Sequence, residues 1–259
     1  MFADVDEARP ILNRIGLGGI SGGQAVEILD RTRYAALAVY PAASGRNVQA
    51  VAWGKYPSAG AGFFFTFSKD WKKRKSTTGK SYWYSDQDGL SVALNAGQAF
   101  VAMGVNPDPF AALPGKAGPE GFTQFRQGAA LTLWLENPAA PLDRFLNDLN
   151  IPLQIPAEQL LIGLYPVLSA ESDSASYEAR LRIKTPSPSQ ARALVILFSM
   201  ARLASGAADT ERGGAALLPI LFAYPPVQDG QFLNIRTAPM DSDEIALLFD
   251  LFSVYSTQN

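Results

Sequence analysis

Side chains that carry nucleophilic or metal chemistry are scarce in this chain of 259 residues, which has no histidine and no cysteine. Their absence excludes Ser-His-Asp and Cys-His nucleophilic centres, thiol redox chemistry and nearly all zinc, haem and iron–sulfur sites. A calcium or magnesium site made of carboxylates alone remains possible. The acidic residues are scattered, however, and no spacing indicates the carboxylate pair of a glycosidase. We therefore expect a protein that is not an enzyme, with no catalytic residues, no bound metal and no cofactor.

Two short motifs resemble catalytic or phosphate-binding signatures. Gly19-Ile20-Ser21-Gly22-Gly23 matches the G-x-S-x-G pattern of serine hydrolases, which needs a preceding strand and a histidine partner. Gly79-Lys80-Ser81 resembles the end of a phosphate-binding loop, but Arg74 occupies the leading glycine position. We interpret the first motif as a flexible loop and reject the second.

A basic cluster between Lys69 and Lys80 combines charge with aromatic rings. It has five lysines and Arg74 against Asp70, a net charge of +5 within a chain of net charge −2. The neighbouring aromatic residues include Trp71 and Trp83. This mixture suits a membrane–water interface, where rings lie at headgroup depth and ammonium groups face anionic lipid. The same mixture could stack bases and contact phosphates, or the segment could be a solvated loop beside a core helix.

The net charge, the length of apolar runs and the N-terminal sequence narrow the class of protein further. A net charge of −2 excludes the strong basic bias of a dedicated nucleic-acid binder, so we expect no nucleic-acid partner. No apolar run approaches the roughly 18 to 20 residues that span a bilayer. The residues after Met1 have neither the basic n-region nor the apolar h-region of a signal peptide. We expect either a cytoplasmic protein or one whose export signal has been removed.

An internal repeat organises the chain. Four segments share a strand that ends near a proline, a turn, a second strand that ends near another proline, and a helix. They begin at Tyr34, Ala99, Leu160 and Leu217. The prolines of the first strands are Pro41, Pro107, Pro166 and Pro225, and those of the second strands are Pro57, Pro138, Pro186 and Pro239. An insertion after the first segment reads as a hairpin that turns at Asp88-Gly89.

These repeated strand-strand-helix units predict an α/β (α+β) fold, with a mostly antiparallel or mixed sheet covered by amphipathic helices. We expect a single domain over residues 1–259, with a pseudo-repeat that divides it into halves of roughly 1–150 and 151–259. Ala8–Arg14 and Gln24–Arg33 read as short helices joined by a loose connection over Gly16–Gly23. Capping sequences at Ser187 and Asp241 mark the start of two longer helices.

Three predicted helices carry more apolar surface than one core-facing stripe needs. They cover Ala59–Ser68, Gln190–Ala204 and Asp241–Val254. An apolar stripe alone is ordinary core packing, whereas apolar residues on further faces must be buried or must meet lipid, ligand or a partner. The candidates for membrane or lipid contact are Phe63, Phe64, Phe67, Trp71, Lys72, Lys73, Lys75, Trp83, Leu194, Leu197, Phe198, Ile245, Leu248, Phe249 and Phe252.

The chain resembles the exported lipoproteins of spirochaetes, especially those of treponemes. The resemblance rests on the predicted hairpin KSYWYSDQDGLSVAL, the predicted helix SQARALVILFSMARL and the Tyr-Pro and Thr-Pro-Ser motifs at the ends of predicted strands. It implies an α/β/α body that an N-terminal lipid tethers to the periplasmic leaflet of the outer membrane. It also implies amphipathic helices that enter this leaflet and increase its permeability. The acylated cysteine of such proteins is absent, so we expect the anchor region to lie outside this sequence.

Two functional hypotheses follow. In the first, the protein is non-enzymatic and inserts amphipathic helices into the inner leaflet of an outer membrane, with anionic lipid favoured. In the second, it is a periplasmic carrier that holds a lipid or another apolar small molecule between its helices and its sheet. The sequence leaves the oligomeric state open.

Overall fold

Antiparallel strand pairing organises the fold, which we describe from a computed structural model. The structure describes residues 1–15, 23–42, 45–56, 65–95, 97–104, 107–111, 121–139, 142–143, 154–167, 175–205 and 217–253. Its chain divides into two compact units. Unit 1 contains Met1–Asp6 and Gly19–Gly118, and unit 2 contains Glu7–Gly18 and Pro119–Asn259. The expectation of one domain that repeats near residue 150 stays a prediction.

Unit 1 is built from hairpins. Its helix α2 (Gly23–Arg31) leads directly into β2. The strands are β1 (Phe2–Asp4), β2 (Thr32–Ala42), β3 (Gly45–Gly54), β4 (Trp71–Lys75), β5 (Ser81–Ser85), β6 (Leu90–Asn95) and β7 (Gln98–Met103). Among the described residues they lie in the order β1-β2-β3-β7-β6-β5-β4, with antiparallel pairing throughout. The strand β4 therefore ends this part of the sheet.

Side chains alternate between the two faces of the unit 1 sheet. Gln49, Ala102 and Ser91 pair across β3, β7 and β6 and are buried on one face. Gln49 donates from Nε2 to the carbonyl of Asp108, at 3.2 Å. The Asp108 carboxylate in turn accepts the backbone N–H groups of Thr77 (3.2 Å) and Phe110 (2.9 Å). The buried Gln49 side chain and the Asp108 carboxylate therefore have internal hydrogen-bond partners, as burial requires, whereas the buried Ser91 hydroxyl has none among the described residues.

Unit 2 combines a second antiparallel arrangement with the longer helices. Its strands β8 (Leu131–Glu136), β9 (Gln159–Val167), β10 (Ser176–Lys184), β11 (Val227–Asp229) and β12 (Phe232–Met240) lie in the order β8-β9-β10-β12-β11. Its helices are α1 (Val5–Ile15), which this unit contains from Glu7 onward, α3 (Phe122–Arg126), α4 (Pro188–Ser205), α5 (Leu218–Leu221) and α6 (Ser242–Ser253). Together the two units confirm the mixed α+β class with antiparallel strands.

The core of unit 2 lies on one face of this sheet. Leu160, Ile183 and Leu233 pair across β9, β10 and β12 and are almost completely buried. Leu194 and Phe198 of α4 belong to the same cluster. The helix α5 completes the cover, and its following residue Phe222 places its ring 5.6 Å from that of Phe198. Burial of these apolar side chains is the main contribution to the stability of unit 2.

The predicted caps start both long helices of unit 2. Ser187 lies one residue before α4, and its hydroxyl accepts the backbone N–H of Gln190 at 3.3 Å. This N–H lies in the first turn of the helix, where it has no hydrogen-bond partner within the helix. At α6, the Asp241 carboxylate accepts the N–H groups of Asp243 and Glu244 at 2.9 Å. Glu244 reciprocates by accepting the Asp241 N–H at 2.9 Å. Asp241 and Glu244 therefore form a complete capping box.

Several other predicted elements are confirmed. Asp88 and Gly89 lie in the turn between β5 and β6, where Gly89 has a φ of 60° that favours glycine. The strands predicted after Leu160 and Tyr177 are β9 and β10. The two short N-terminal helices are α1 and α2, although α2 ends at Arg31 because Thr32 already pairs in β2.

One predicted element is wrong, and one of the alternatives left open for the basic cluster is excluded. The segment from Leu217 was predicted as a strand, but it forms the short helix α5. Pro219 lies in the first turn of α5, where its missing N–H costs nothing, while Leu217 and Leu218 are buried. The basic cluster is not a loop beside a helix, because its centre forms β4 and pairs with β5.

Two further segments lie largely outside the described residues. Within the predicted helix Ala59–Ser68, a helical turn is described at 65–67. Of the predicted connection Gly16–Gly23, only Gly23, the first residue of α2, is described.

Removing the cap of α6 should destabilise unit 2. Asp241→Ala deletes the carboxylate that accepts two backbone N–H groups, and we expect a loss of about 0.5 to 2 kcal/mol in unfolding free energy. Asp241→Asn is the matched control, because asparagine caps as well as aspartate. Urea unfolding monitored by circular dichroism measures both variants. Equal stability of the alanine variant and the wild type would contradict the capping assignment.

The buried Tyr177 should make stability fall at alkaline pH. Burial, followed by the nearby charge of Glu7, raises the pKa of Tyr177, and its hydroxyl donates to the Glu7 carbonyl at 2.7 Å. Above the ordinary tyrosine pKa of about 10 the unfolded chain loses this proton first, so the unfolding free energy declines as pH rises further.

Tyr177→Phe tests this coupling. We expect it to cost about 0.5 to 1.5 kcal/mol at pH 8, through the lost hydrogen bond, and to make the decline between about pH 10 and 11 shallower. Urea midpoints measured across this range compare the two proteins. Parallel pH profiles for the variant and the wild type would refute the link.

Candidate membrane-contact surfaces

The helix α4 presents apolar side chains on two opposite sides. Ala191, Leu194 and Phe198 face the core and are buried. Ile196, Leu197, Met200 and Leu203 follow the same helical spacing on the other side, with exposed fractions of 56%, 40%, 62% and 80%. We call these four residues the exposed α4 face. A surface helix of a globular protein normally carries polar residues there, so the exposed α4 face is an unusual apolar surface.

The charges of α4 are all positive. Its 18 residues include Arg192 and Arg202, both exposed, and no aspartate or glutamate. Its polar Ser199 is satisfied within the helix, because the hydroxyl donates to the Val195 carbonyl at 2.7 Å. An apolar face combined with arginines and no acid is typical of helices that lie in a membrane interface containing anionic lipid.

In unit 1 the basic cluster forms an exposed strand. Residues Lys72, Lys73, Arg74 and Lys75 of β4 are all exposed, and we call them the basic strand. Two of them share one acidic partner, because Lys72 donates to Asp86 and Arg74 lies 3.3 Å from the other oxygen of the same carboxylate. Hydrogen bonding to Lys72 is the main reason that the pKa of Asp86 is lowered. Lys73 and Lys75 point to the opposite face of the strand, by alternation.

Aromatic rings lie beside the basic strand. The ring of Phe65 lies 4.7 Å from that of Trp71 and 5.4 Å from that of Trp83. Trp83 pairs with Lys73 in the strand register, so this lysine and the aromatic group share one face. Phe67 is exposed nearby in sequence. The predicted grouping of Trp71, Trp83 and lysines is therefore a real juxtaposition in unit 1.

The other predicted contact residues have different surroundings. Leu194, Phe198 and Ile245 are buried, and they can meet lipid only if their helices leave the core. Leu248 and Phe249 of α6 are half-buried, and Leu248 packs against the core cluster. Phe63, Phe64 and the side chain of Phe252 lie outside the described residues. Their proposed roles stay predictions.

The contact residues predicted from the sequence did not include Ile196, Met200 and Leu203. Their spacing could have identified them, because together with Leu197 they form an apolar stripe on the side of the helix opposite Leu194. That spacing does not say which of two apolar stripes faces the core.

Two further findings concern metal binding and membrane-spanning helices. Within the described ranges, no three acidic side chains converge in a way that could hold a metal ion. In the same part of the chain, no helix is both long enough and apolar enough to cross a bilayer.

Comparison with known proteins identifies the fold. No protein-family model matches the chain, and no curated protein matches it. Crystal forms I, III and IV of the treponemal protein TP0453 are similar in structure, with TM-scores of 0.58, 0.60 and 0.58 and 18% sequence identity. Each match covers 96% of this chain and 90% to 92% of that chain. The chain therefore shares the fold of TP0453.

Truncations on the two sides of α4 should have very different effects on stability. Leu194→Ala should cost about 2 to 5 kcal/mol in unfolding free energy, because it leaves a cavity in the core. Leu203→Ala on the exposed side should change it by no more than about 0.5 kcal/mol. Thermal and urea unfolding measure both variants. Comparable losses for the two would mean that the exposed side is covered within the molecule.

Proposed function

We propose that this protein is a non-enzymatic, membrane-associating lipoprotein that inserts the exposed α4 face into the inner leaflet of an outer membrane and raises its permeability. The observation that carries the proposal is the row of four apolar side chains that α4 holds in water. Such a contiguous apolar patch on a protein surface is typical of an interaction site. A lipid interface is the partner that fits an elongated apolar stripe on a helix of this length.

The energetics favour shallow insertion. Complete transfer of a leucine-sized side chain from water to an apolar phase contributes about 1.5 to 3 kcal/mol. The four side chains of the exposed α4 face are on average somewhat more than half exposed, so their transfer would contribute roughly 4 to 7 kcal/mol. Because the opposite side of α4 keeps its core contacts, this step requires no opening of unit 2.

Electrostatics favour anionic lipid. Arg192 and Arg202 lie on the same helix as the exposed α4 face, and each basic residue near an anionic membrane surface contributes about 1 kcal/mol. In unit 1, the basic strand and the rings of Trp71 and Trp83 form the kind of cluster that lies at the headgroup level. The arginines of α4 support a membrane-surface role for unit 2, and the basic strand with its aromatic rings supports one for unit 1.

The location rests on similarity. The sequence resembles treponemal exported lipoproteins, and its fold is that of TP0453. Both support a native protein that is lipid-anchored at the periplasmic face of the outer membrane. Increased permeability would require more than shallow insertion of α4. The half-buried Leu248 and Phe249 of α6 are the side chains that such a second step would release.

Vesicle co-flotation tests the proposal. We expect the protein to float with vesicles that contain phosphatidylglycerol, to bind less to phosphatidylcholine vesicles, and to release an entrapped dye. A triple variant, Ile196→Ser with Met200→Ser and Leu203→Ser, should lose binding while it keeps the wild-type circular dichroism spectrum. Val39→Ser is the matched control, because Val39 is an exposed apolar residue of unit 1 outside both surfaces.

The same experiment separates the proposal from the carrier hypothesis. A wild-type protein that binds neither vesicle type would overturn membrane association. Lipid or fatty acid recovered by solvent extraction of that purified protein would then favour a carrier. Binding that the triple variant retains would mean that another surface contacts the membrane.

A further inference from the structure

The face of the unit 2 sheet opposite the core carries three arginines. Ile183 and Leu233 point into the core, so by alternation Arg180 and Arg182 of β10 and Arg236 of β12 point away from it. Arg180 and Arg236 are directly paired in the strand register. We call these three residues the arginine cluster. Like charges placed opposite each other destabilise a sheet, so this arrangement requires a compensating interaction.

A buried carboxylate holds two of the arginines. The Glu178 side chain is only 5% exposed, and its Oε1 accepts from Arg180 Nε at 2.6 Å. Its Oε2 accepts from Arg236 Nε at 2.5 Å and also from the Nη2 of the same guanidinium. Both of its oxygens are therefore occupied, while the Arg180 and Arg236 side chains remain 50% and 57% exposed.

Each guanidinium group of the cluster also lies against an aromatic ring. Arg180 lies 4.2 Å from the ring centroid of Tyr165, Arg182 lies 4.0 Å from that of Phe232, and Arg236 lies 5.1 Å from that of Tyr224. Such stacking restrains the plane of a guanidinium and leaves its edge free to donate.

The position of Tyr165 is itself fixed. Its hydroxyl donates to the Phe125 carbonyl. Its ring occupies space that only a glycine leaves free, because a Cβ at Gly163 would lie 2.8 Å from the Tyr165 ring and 2.9 Å from that of Phe125. Gly163 pairs with Arg180 in the register, so the missing side chain makes room beneath this arginine.

The cluster has more donors than acceptors. A guanidinium has five N–H donors, and Arg180 uses only Nε for Glu178. Arg182 pairs through Nη2 with the exposed Asp229 at 3.5 Å, while its buried Nε has no hydrogen-bond partner among the described residues. Among the described residues three arginines face two carboxylates, Glu178 and Asp229, so this described group has a net positive charge.

We propose that the arginine cluster is a binding site for a phosphate group. A tetrahedral oxyanion offers several acceptor oxygens and can bridge the exposed edges of Arg180 and Arg236, to which Glu178 and the rings give a fixed direction. The site lies on the sheet face, apart from the exposed α4 face, and does not depend on the proposed function. The phosphate can belong to a lipid headgroup or to a free phosphate compound.

Inorganic phosphate is the first probe. Isothermal titration at constant ionic strength should detect phosphate binding by the wild type. Arg180→Lys and Arg236→Lys keep the charge but lose the planar fork, and each should weaken binding about tenfold, as expected for the loss of a strong charge-assisted contact. Arg192→Lys on α4 is the matched control and should bind as the wild type does. Unchanged binding by both cluster variants would overturn the proposal, because a diffuse positive surface would then suffice.

A second measurement covers the case in which a variant fails to fold. In the wild-type protein, phosphate should shift the NMR signals of the arginine Nε–H groups of the cluster and leave that of Arg192 unchanged. No shift at these signals, or equal shifts at all arginines, would overturn the proposal.

Vesicles that contain phosphatidic acid identify the source of the phosphate. If the cluster variants Arg180→Lys and Arg236→Lys, with α4 intact, bind these vesicles more weakly than the wild type does, the site takes a lipid headgroup. If they affect only free phosphate, it takes a compound in solution. Phosphate binding by the α4 triple variant itself should equal that of the wild type, so a failure of membrane insertion leaves this test intact.

Discussion

The packing of α4 on the buried row of Leu160, Ile183 and Leu233 is the interaction on which the surfaces of unit 2 depend. Leu194 and Phe198 enter this core and thereby fix the rotation of α4 about its axis. Ile196, Leu197, Met200 and Leu203 on the other side of the helix are then exposed to water. The same row fixes which way β9, β10 and β12 face, and alternation places the arginine cluster on the opposite side. One hydrophobic contact thus orients two chemically different surfaces.

The sequence correctly predicted the elements that depend on interactions between residues close together in the chain. Ser187 and Asp241 start their helices because a cap acts within a few residues, and Gly89 turns its hairpin because the turn needs a positive φ. The segment after Leu217 was mispredicted, because a short apolar run suits a buried strand and a buried helix equally well. Packing of this segment against the unit 2 core stabilises the helix α5 instead of a strand.

The sequence predicted which kinds of residue form the candidate surfaces, but it did not predict how these residues are arranged in space. The lysines and tryptophans of the basic strand are close in sequence, and their grouping follows from one hairpin. The two apolar sides of α4 were visible as a pattern, yet both are apolar, so only tertiary packing decides which one is exposed. Glu178 and Arg236 are 58 positions apart. Their contact depends on the register of β10 with β12, for which the sequence has no local signal.

The basic strand also bears on how two copies of this protein meet. Within the described part of unit 1, β4 ends the strand order, and a strand in that position presents backbone groups that could pair with another chain. Four consecutive basic side chains oppose such edge-to-edge pairing. At physiological ionic strength their repulsion extends over about 8 Å, farther than the strand spacing of about 4.8 Å. The basic strand therefore opposes growth of a continuous intermolecular sheet from this edge, and this electrostatic opposition weakens as salt concentration rises.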